Sequence, residues 1–331
     1  MTDQHTSHPA ADASTAELPA AELPAAEASA GDVRVEGLHA TTTTVEVAGR
    51  PVRIRRSGPA EAPPVVLLHG IGRSLEDWSA AHELLARDHR VLSMDLPGFG
   101  LTPAGAEKPG LGTFARAVVG VLDALGEDRP VHLMGNSLGG AVAMTVAAEH
   151  PGRVAGLLLA DSAGFGREAN VSPLPMLWGG LSHLPVVGHR FRPLARAAAV
   201  RSNQSCFFDP ALATPERLRH AALVGSQPDF RATFLGTYRS IGLPVVGVLP
   251  GWRRALLAKV RASGLPVLVV WGDQDAVLPA HHAEAAAAAL PEARLHVFPD
   301  TGHMPQIERT EELVELAREF VASVEEYRST C

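Results

Sequence analysis

The segment that decides the fold is Val131-His-Leu-Met-Gly-Asn-Ser137-Leu-Gly-Gly140. An apolar run leads into Gly-Asn-Ser-Leu-Gly, and a stretch of small residues with helical character follows at once. A serine on such a strand-to-helix turn projects from the edge of a sheet, because the flanking glycines leave room where side chains would clash. The pattern predicts that Ser137 is a nucleophile and that the N–H of Leu138 stabilises an oxyanion. The competing interpretation of Ser137 is a helix N-cap.

Short apolar runs alternate with helical stretches on both sides of this segment. The apolar runs lie at 65–68, 90–94, 131–134, 154–160, 267–271 and 295–298, and the helical stretches at 78–86, 113–125, 138–150, 281–290 and 311–327. Wholly apolar runs are typical of strands covered on both faces. Two further strands are expected at 33–38 and 43–55, the second bent into a hairpin near Gly49. The alternation predicts an α/β fold, with a mostly parallel sheet flanked by helices.

The rhythm of strands and helices is interrupted in two places. Residues 1–31 are rich in Ala, Pro and Glu and repeat the sequence Glu-Leu-Pro-Ala-Ala, which predicts a disordered acidic tail. Between 164 and 264, prolines and mixed helical patches replace the alternation. We interpret 164–264 as a helical cap inserted into an α/β core formed by 32–163 and 265–331.

Composition and charge exclude several classes of function. The formal net charge is -7, of which residues 1–30 contribute -5, so the remainder carries -7 + 5 = -2. No basic stripe is present, and nucleic acid is therefore not an expected partner. The two cysteines, Cys206 and Cys331, lack metal-binding or redox spacing, and neither a metal nor a cofactor is predicted. No signal-like segment and no apolar run of about 18–20 residues is found, which predicts a cytoplasmic protein without a membrane span.

Candidates for a catalytic acid and base lie on two loops that follow apolar runs. Asp275 is the preferred acid, because a residue beyond the turn can reach across to a histidine. Asp273, which suits the turn itself, and Asp161, at the end of another run, remain alternatives. His303 lies on a glycine-opened loop after the last run, and an imidazole can take the proton of a serine and return it to a leaving group. The chain order Ser137, Asp275, His303 is the order expected when such a nucleophile lies on an α/β sheet.

The loop after the run at 65–68 is expected to supply a second oxyanion donor, and the histidines of this loop and of the helical stretch at 281–290 are not expected to act as the base. The loop His69-Gly70-Ile71-Gly72 follows the run at 65–68, and the N–H of Ile71 is the expected second oxyanion donor. His69 precedes the serine in the chain and is expected to fix this loop by hydrogen bonds. His281 and His282 open a helical stretch and are expected to face solvent.

These segments resemble the α/β-hydrolase superfamily over residues from about 32 to 327. The sequence DLPGFG at 95–100 resembles a D-x-P-G-x-G loop of that family, WGDQD at 271–275 matches W-G-x-x-D, and GHMPQIE at 302–308 matches its histidine loop. The resemblance implies an eight-stranded, mostly parallel sheet with a cap after the sixth strand. It also implies cofactor-free hydrolysis through an acyl-enzyme.

Within that superfamily, the segment around the serine resembles two groups. Asn136, directly before the serine, is similar to carbon–carbon bond hydrolases of aromatic breakdown, and it also occurs in esterases. The carbon–carbon hydrolases commonly carry tryptophan after the histidine, whereas Met304 occupies that position here. Such hydrolases need a cation for the substrate carboxylate. The candidates in the cap are Arg190, Arg192, Arg196 and Arg201.

Three functions therefore follow from the sequence. The first is hydrolysis of a carboxylic ester or related small acyl substrate, and the second is cleavage of a carbon–carbon bond in a diketone acid. The third is a non-catalytic binding protein on the same scaffold. This function predicts that the triad of Ser137, Asp275 and His303 is incomplete. Apolar cap residues suggest a hydrophobic substrate group, or they simply pack the cap onto the sheet. These residues are Leu174, Met176, Leu177, Trp178, Leu181 and Leu184.

Overall fold

A computed structural model describes residues 42–170, 181, 188–243 and 247–330 of the chain. Eight strands in these ranges form one sheet. They are β1 (Thr43–Val47), β2 (Arg50–Ser57), β3 (Pro64–Leu68), β4 (Arg90–Met94), β5 (Val131–Asn136), β6 (Val154–Ala160), β7 (Val267–Gly272) and β8 (Arg294–Phe298). Their spatial order is β1-β2-β4-β3-β5-β6-β7-β8. Only β2 runs antiparallel to its neighbours, β1 and β4, so the predicted eight-stranded, mostly parallel sheet is confirmed.

Helices cover both faces of this sheet. They are α1 (Ser79–Leu85), α2 (Leu111–Ala124), α3 (Leu138–Glu149), α4 (Arg192–Gln204), α5 (Pro215–Gly225), α6 (Phe230–Ile241), α7 (Pro250–Ser263), α8 (His281–Ala289), α9 (Pro305–Glu308) and α10 (Thr310–Thr330). Side chains of α2, α3, α7 and α8 share one hydrophobic cluster, and those of α1 and α10 share another. Within the described ranges, no helix combines the length and the apolar character that crossing a bilayer requires.

The apolar strands supply both clusters, since alternate side chains point to opposite faces. In β3, Val66 and Leu68 pack on the side of α2 and α3, whereas Val65 and Leu67 pack on the side of α1 and α10. All four are buried, and burying such a side chain stabilises the fold by about 1.5–3 kcal/mol. Full coverage of the central strands therefore explains why they contain no polar face.

The last apolar run differs from this expectation. Leu295 and Val297 of β8 are 40% and 43% exposed. The reason is position, because β8 is the last of the eight described strands and pairs with β7 alone among them. The prediction that this run is covered on both faces is therefore wrong.

The predicted cap and tail are only partly within the described residues. Helices α4, α5 and α6 and a short ribbon, Gly242–Leu243 with Gly247–Val248, lie in the range 164–264. At the end of that range, Leu256 and Val260 of α7 belong to the same cluster as α3. The boundaries 164 and 264 remain predictions. The tail at 1–31 and the strand expected at 33–38 lie outside the described residues.

Candidate active site

Ser137 lies on a tight turn between β5 and α3. Its φ is +53°, a value that is uncommon for a residue with a side chain and that marks local backbone strain. The neighbouring glycines make this turn possible. A Cβ on Gly135 would lie 2.3 Å from the carbonyl carbon of Gly139, and a Cβ on Gly139 would lie 2.2 Å from the carbonyl oxygen of Leu68. Close packing of β3, β5 and α3 therefore dictates where the serine stands, as the flanking glycines predict.

The loop after β3 lies against this serine. A Cβ on Gly70 would be 3.3 Å from the Cβ of Ser137. The ring of His69 is buried, its Nε2 accepts from the N–H of Leu96 at 2.9 Å, and its Nδ1 lies 2.8 Å from the Gly70 carbonyl oxygen. Burial lowers the pKa of His69, which suits a neutral ring with Nδ1 as donor. Both ring nitrogens are thus engaged in fixing the loop, in agreement with the structural role expected for this histidine.

The two expected oxyanion donors flank the serine on separate elements. Ile71 follows Gly70 in the loop, and Leu138 is the first residue of α3. Among the described residues, neither backbone N–H has a hydrogen-bond partner. Two unused donors beside a candidate nucleophile are what an oxyanion requires.

The acid and the base form a direct pair. His303 Nδ1 lies 2.7 Å from Asp275 Oδ2, and the carboxylate side chain is completely buried. The other carboxylate oxygen, Oδ1, accepts from the N–H groups of Val277 and Leu278 at 2.7 and 2.9 Å. Asp273 instead accepts from the Thr301 N–H at 3.3 Å and does not contact the imidazole. Of these two aspartates, the structure pairs Asp275 with His303.

Asn136 links the histidine loop to the strand that carries the serine. Its Nδ2 donates to the carbonyl oxygen of His303 at 3.0 Å and to that of Ala160 at 3.2 Å. The residue directly before Ser137 is therefore bonded to the backbone of the candidate base. We interpreted Asn136 from the sequence only as a marker of a subgroup, and its bridging role was missed.

Glu308 holds the same loop from the other side. Its Oε1 accepts from the N–H groups of Gly302 and Met304 at 3.0 and 3.2 Å, and its Oε2 accepts from the N–H of Phe208 at 2.8 Å. The N–H of His303 itself donates to the carbonyl oxygen of Cys206 at 2.8 Å. The segment around residues 206–208 is thus hydrogen-bonded directly to the histidine loop.

Asp161, the remaining candidate acid, lies beside the pair. It is completely buried at the end of β6, and its Oδ1 accepts from the N–H of Gly272 at 2.9 Å. One polar side-chain atom from each of Asp161, Asp275 and His303 lies within 4.8 Å of the other two. The hydrogen bond to the imidazole comes from Asp275, so Asp161 is a neighbour of the candidate acid rather than a replacement for it.

Comparison with known proteins gives the family. A profile described as the alpha/beta hydrolase fold matches residues 63–310, which is most of the chain. The chain belongs to the alpha/beta hydrolase family. The predicted superfamily, its fold and its assignment to enzymes are thereby confirmed.

The relatives of this hydrolase include an acetyltransferase component and hydrolases. It is 33% identical over 273 residues to the dihydrolipoyllysine-residue acetyltransferase component of the acetoin cleaving system of Pseudomonas putida, covering 81% of this chain and 66% of that protein. It is 32% identical over 281 residues to a 2-hydroxy-6-oxo-6-phenylhexa-2,4-dienoate hydrolase of Burkholderia cepacia, covering 82% and 92%. Among solved structures, a meta-cleavage product hydrolase from Pseudomonas fluorescens aligns with a TM-score of 0.68 at 25% identity, covering 85% and 97%.

One histidine prediction for this hydrolase is wrong. His282 is buried, with its Nε2 3.0 Å from Glu168 Oε2 and its ring packed edge-on against Trp271. The preceding His281 is exposed as expected. The helix start packs against the loop that follows β6, and nothing local in the sequence indicates which of two adjacent histidines turns inward.

The arginines of this hydrolase differ in their exposure and in their partners. The four arginines considered as carboxylate anchors are all exposed on or beside α4. The cation next to the loop after β3 is instead Arg73, which binds the Asp77 carboxylate through two nitrogens at 2.8 and 2.7 Å. Its third nitrogen donates to Asn203 Oδ1 of α4 at 2.6 Å. The position of Arg73, one residue after His-Gly-Ile-Gly, is the sequence feature from which a cation near this loop could have been predicted.

Of the apolar cap residues, only Leu181 lies within the described ranges, where it is half-buried.

Proposed function

We propose that this hydrolase cleaves a carboxylic ester or a related small acyl substrate, with Ser137 as nucleophile, His303 as base and Asp275 as the orienting acid. The observation that carries the proposal is the buried Asp275–His303 pair, whose histidine backbone is bonded to Asn136, the residue before the serine. An Nδ1–H that donates to a buried carboxylate leaves Nε2 unprotonated. The imidazole can therefore accept a proton from the serine hydroxyl.

The reaction is a two-step acyl transfer. His303 Nε2 takes the proton from Ser137 Oγ while Oγ bonds to the substrate carbonyl carbon, and the N–H groups of Ile71 and Leu138 stabilise the resulting oxyanion. The oxyanion collapses, the bond to the leaving group breaks, and His303 returns the proton to that group. Water, deprotonated by the same imidazole, then attacks the acyl carbon. The bond from that carbon to Ser137 Oγ breaks, His303 returns the proton to Oγ, and the acid is released. Throughout, Asp275 stabilises the imidazolium.

Two finer points belong to the same proposal. A hydrophobic acyl or alcohol group is expected to bind under the cap, whose sequence carries the apolar residues named above. A cytoplasmic location is the second point. A series of nitrophenyl esters of increasing chain length tests the first of them, since kcat/KM should rise with each added methylene until the pocket is filled.

The nucleophile is tested by comparing Ser137→Ala with the wild type and with Ser226→Ala, which removes an exposed serine from the end of α5. We expect kcat on nitrophenyl acetate to fall at least roughly a thousandfold in Ser137→Ala and to stay unchanged in Ser226→Ala. A fluorophosphonate probe should label Ser137 alone in a peptide digest. Full esterase activity in Ser137→Ala, or labelling of a different serine, would overturn the assignment.

A second candidate function is favoured by the relatives. The Burkholderia cepacia protein is named as a hydrolase of a phenyl-substituted oxo-dienoate, which suggests carbon–carbon cleavage of a diketone acid by the same three side chains. The substrate carboxylate would then need a cation, and Arg73, two residues after Ile71 on the same loop, is a half-buried arginine. Measuring kcat/KM for a ring-fission product beside nitrophenyl esters separates the two functions. A clear preference for the ring-fission product would replace the first proposal by the second.

A further inference from the structure

A second buried carboxyl group accompanies the candidate acid. The side chains of Asp161 and Asp275 are both inaccessible to solvent, and one carboxyl oxygen of each lies within 4.8 Å of the other. Two ionised carboxylates at so short a distance, both shielded from bulk solvent, repel each other strongly, which favours a proton on one of them. The mechanism proposed above uses only Asp275 and gives Asp161 no role.

The two carboxyl groups differ in the hydrogen-bond donors that reach them. Asp275 accepts from two backbone N–H groups and from the imidazole, and each of these bonds favours the charged form. In the described part of the chain, Asp161 accepts from a single donor, the N–H of Gly272, through Oδ1. Its Oδ2 is buried and, among the described residues, has no hydrogen-bond donor directed at it. An unpartnered buried oxygen beside a carboxylate is satisfied once that oxygen carries a proton.

We infer that Asp161 is a positioning residue whose protonated carboxyl donates a hydrogen bond to the Asp275 carboxylate and holds that carboxylate against His303. The catalytic part of this inference rests on the function proposed above, whereas the location of the proton does not. No bond is made or broken at Asp161, and its proton stays on its own oxygen through the reaction.

The electrostatic surroundings of Asp161 agree with this assignment. Burial raises the pKa of Asp161 well above its usual range, and the negative charge of Asp275 raises it further. Glu308, on α9, acts in the same direction, and the N–H of Gly272 acts in the opposite one. His303 is the other titratable group of this cluster.

The backbone at Asp161 suggests the appropriate variants. Its φ is +43°, a conformation that asparagine tolerates and that glycine adopts freely. Asp161→Asn keeps both functions of the group, since the amide oxygen can accept from Gly272 and the amide N–H can donate to Asp275. Asp161→Gly removes the side chain without adding backbone strain. Asp123→Asn is the matched control for loss of an aspartate, because Asp123 is 59% exposed and pairs with Arg153 at the opposite end of β6.

The proton is detected directly by infrared difference spectroscopy near neutral pH. Wild-type protein minus Asp161→Asn should contain the C=O stretch of a protonated carboxylic acid, and wild type minus Asp123→Asn should lack it. A difference spectrum with carboxylate bands only would show that Asp161 is ionised and would overturn the inference. Because the measurement needs no substrate, it remains decisive even if Ser137 proves not to be the nucleophile.

The positioning role is tested by kinetics on the same proteins. Asp161→Asn should retain kcat within about threefold, whereas Asp161→Gly should lose roughly 10- to 100-fold in kcat with little change in KM, the size of a lost hydrogen bond to a charged group. Equal kcat values for the Asn and Gly variants would refute this role. Stoichiometric Zn²⁺ binding by the wild type that Asp161→Asn abolishes would also overturn it, since the three side chains would then be metal ligands. If Asp161→Gly does not fold, the kcat of Asp161→Asn and the infrared spectrum decide the question.

Discussion

Replacement of Asp275 by asparagine tests the core of the proposed mechanism with almost no change in shape. The amide oxygen of Asn can still accept from the N–H groups of Val277 and Leu278, which Asp275 Oδ1 now binds at 2.7 and 2.9 Å. The amide nitrogen then faces His303 Nδ1 and donates to it. The imidazole is forced into the tautomer that carries its proton on Nε2, and it can no longer accept a proton from the serine hydroxyl.

The size of the effect follows from this change of tautomer. Loss of the base function through the wrong tautomer costs about 10⁴-fold in kcat, or about 5 kcal/mol of transition-state stabilisation. The fold should be affected much less, because both backbone bonds of the loop survive. We therefore expect Asp275→Asn to unfold in urea near the wild-type midpoint while its esterase activity falls close to that of Ser137→Ala.

The assay is steady-state hydrolysis of nitrophenyl acetate, with Ser137→Ala as the background. Asp273→Asn is the comparison, since this residue lies two positions earlier on the same loop and bonds to Thr301 rather than to the imidazole. Its kcat should fall far less than that of Asp275→Asn. An Asp275→Asn enzyme that keeps a tenth of the wild-type kcat, or an Asp273→Asn enzyme that loses 10⁴-fold, would contradict the reasoning.

Two further predictions concern stability. Gly139→Ala would place a Cβ 2.2 Å from a backbone oxygen of β3, and we expect a loss of about 1–3 kcal/mol or more in urea unfolding, whereas Gly152→Ala, with nothing within 4 Å of the new atom, should cost little. Burial, and then the charge of Arg55, lower the pKa of His82 to about 3, so the native protein keeps this ring neutral while the unfolded chain takes up a proton near pH 6.5. The neutral ring therefore stabilises the folded protein fully above about pH 6.5. As the pH falls below that value, this part of the free energy of unfolding is lost, by about 3 kcal/mol at about pH 4.5. Urea midpoints of wild type and His82→Gln should therefore diverge in acid, and parallel pH profiles would refute this.

The sequence was sufficient for most of the architecture. Mostly apolar runs identified the central strands, because a strand covered on both faces carries few polar residues. The run at 154–160 coincides with β6, and that at 90–94 coincides with β4. Gly135 and Gly139 predicted the turn at Ser137, because a Cβ at either position would clash with the backbone where β3, β5 and α3 meet.

What the sequence left undetermined depends on contacts between distant segments. Leu295 and Val297 are exposed because β8 lies at the end of the sheet. The order of strands in a sheet cannot be predicted from a local sequence pattern. His282 turns inward because the loop after β6 packs there. The contact of Asn136 with the histidine loop and that of Asp161 with the candidate acid depend on the pairing of β5, β6 and β7.

The hydrogen bonds between residues 206–208 and the histidine loop bear on protein engineering. The backbone oxygen of Cys206 and the backbone N–H of Phe208 serve the loop that carries His303, yet both belong to the inserted segment rather than to the sheet. Replacing the segment between β6 and β7 would therefore remove hydrogen bonds that support the loop carrying His303, the candidate base. Chimeras that retain this three-residue stretch should stay active more often than chimeras that exchange it.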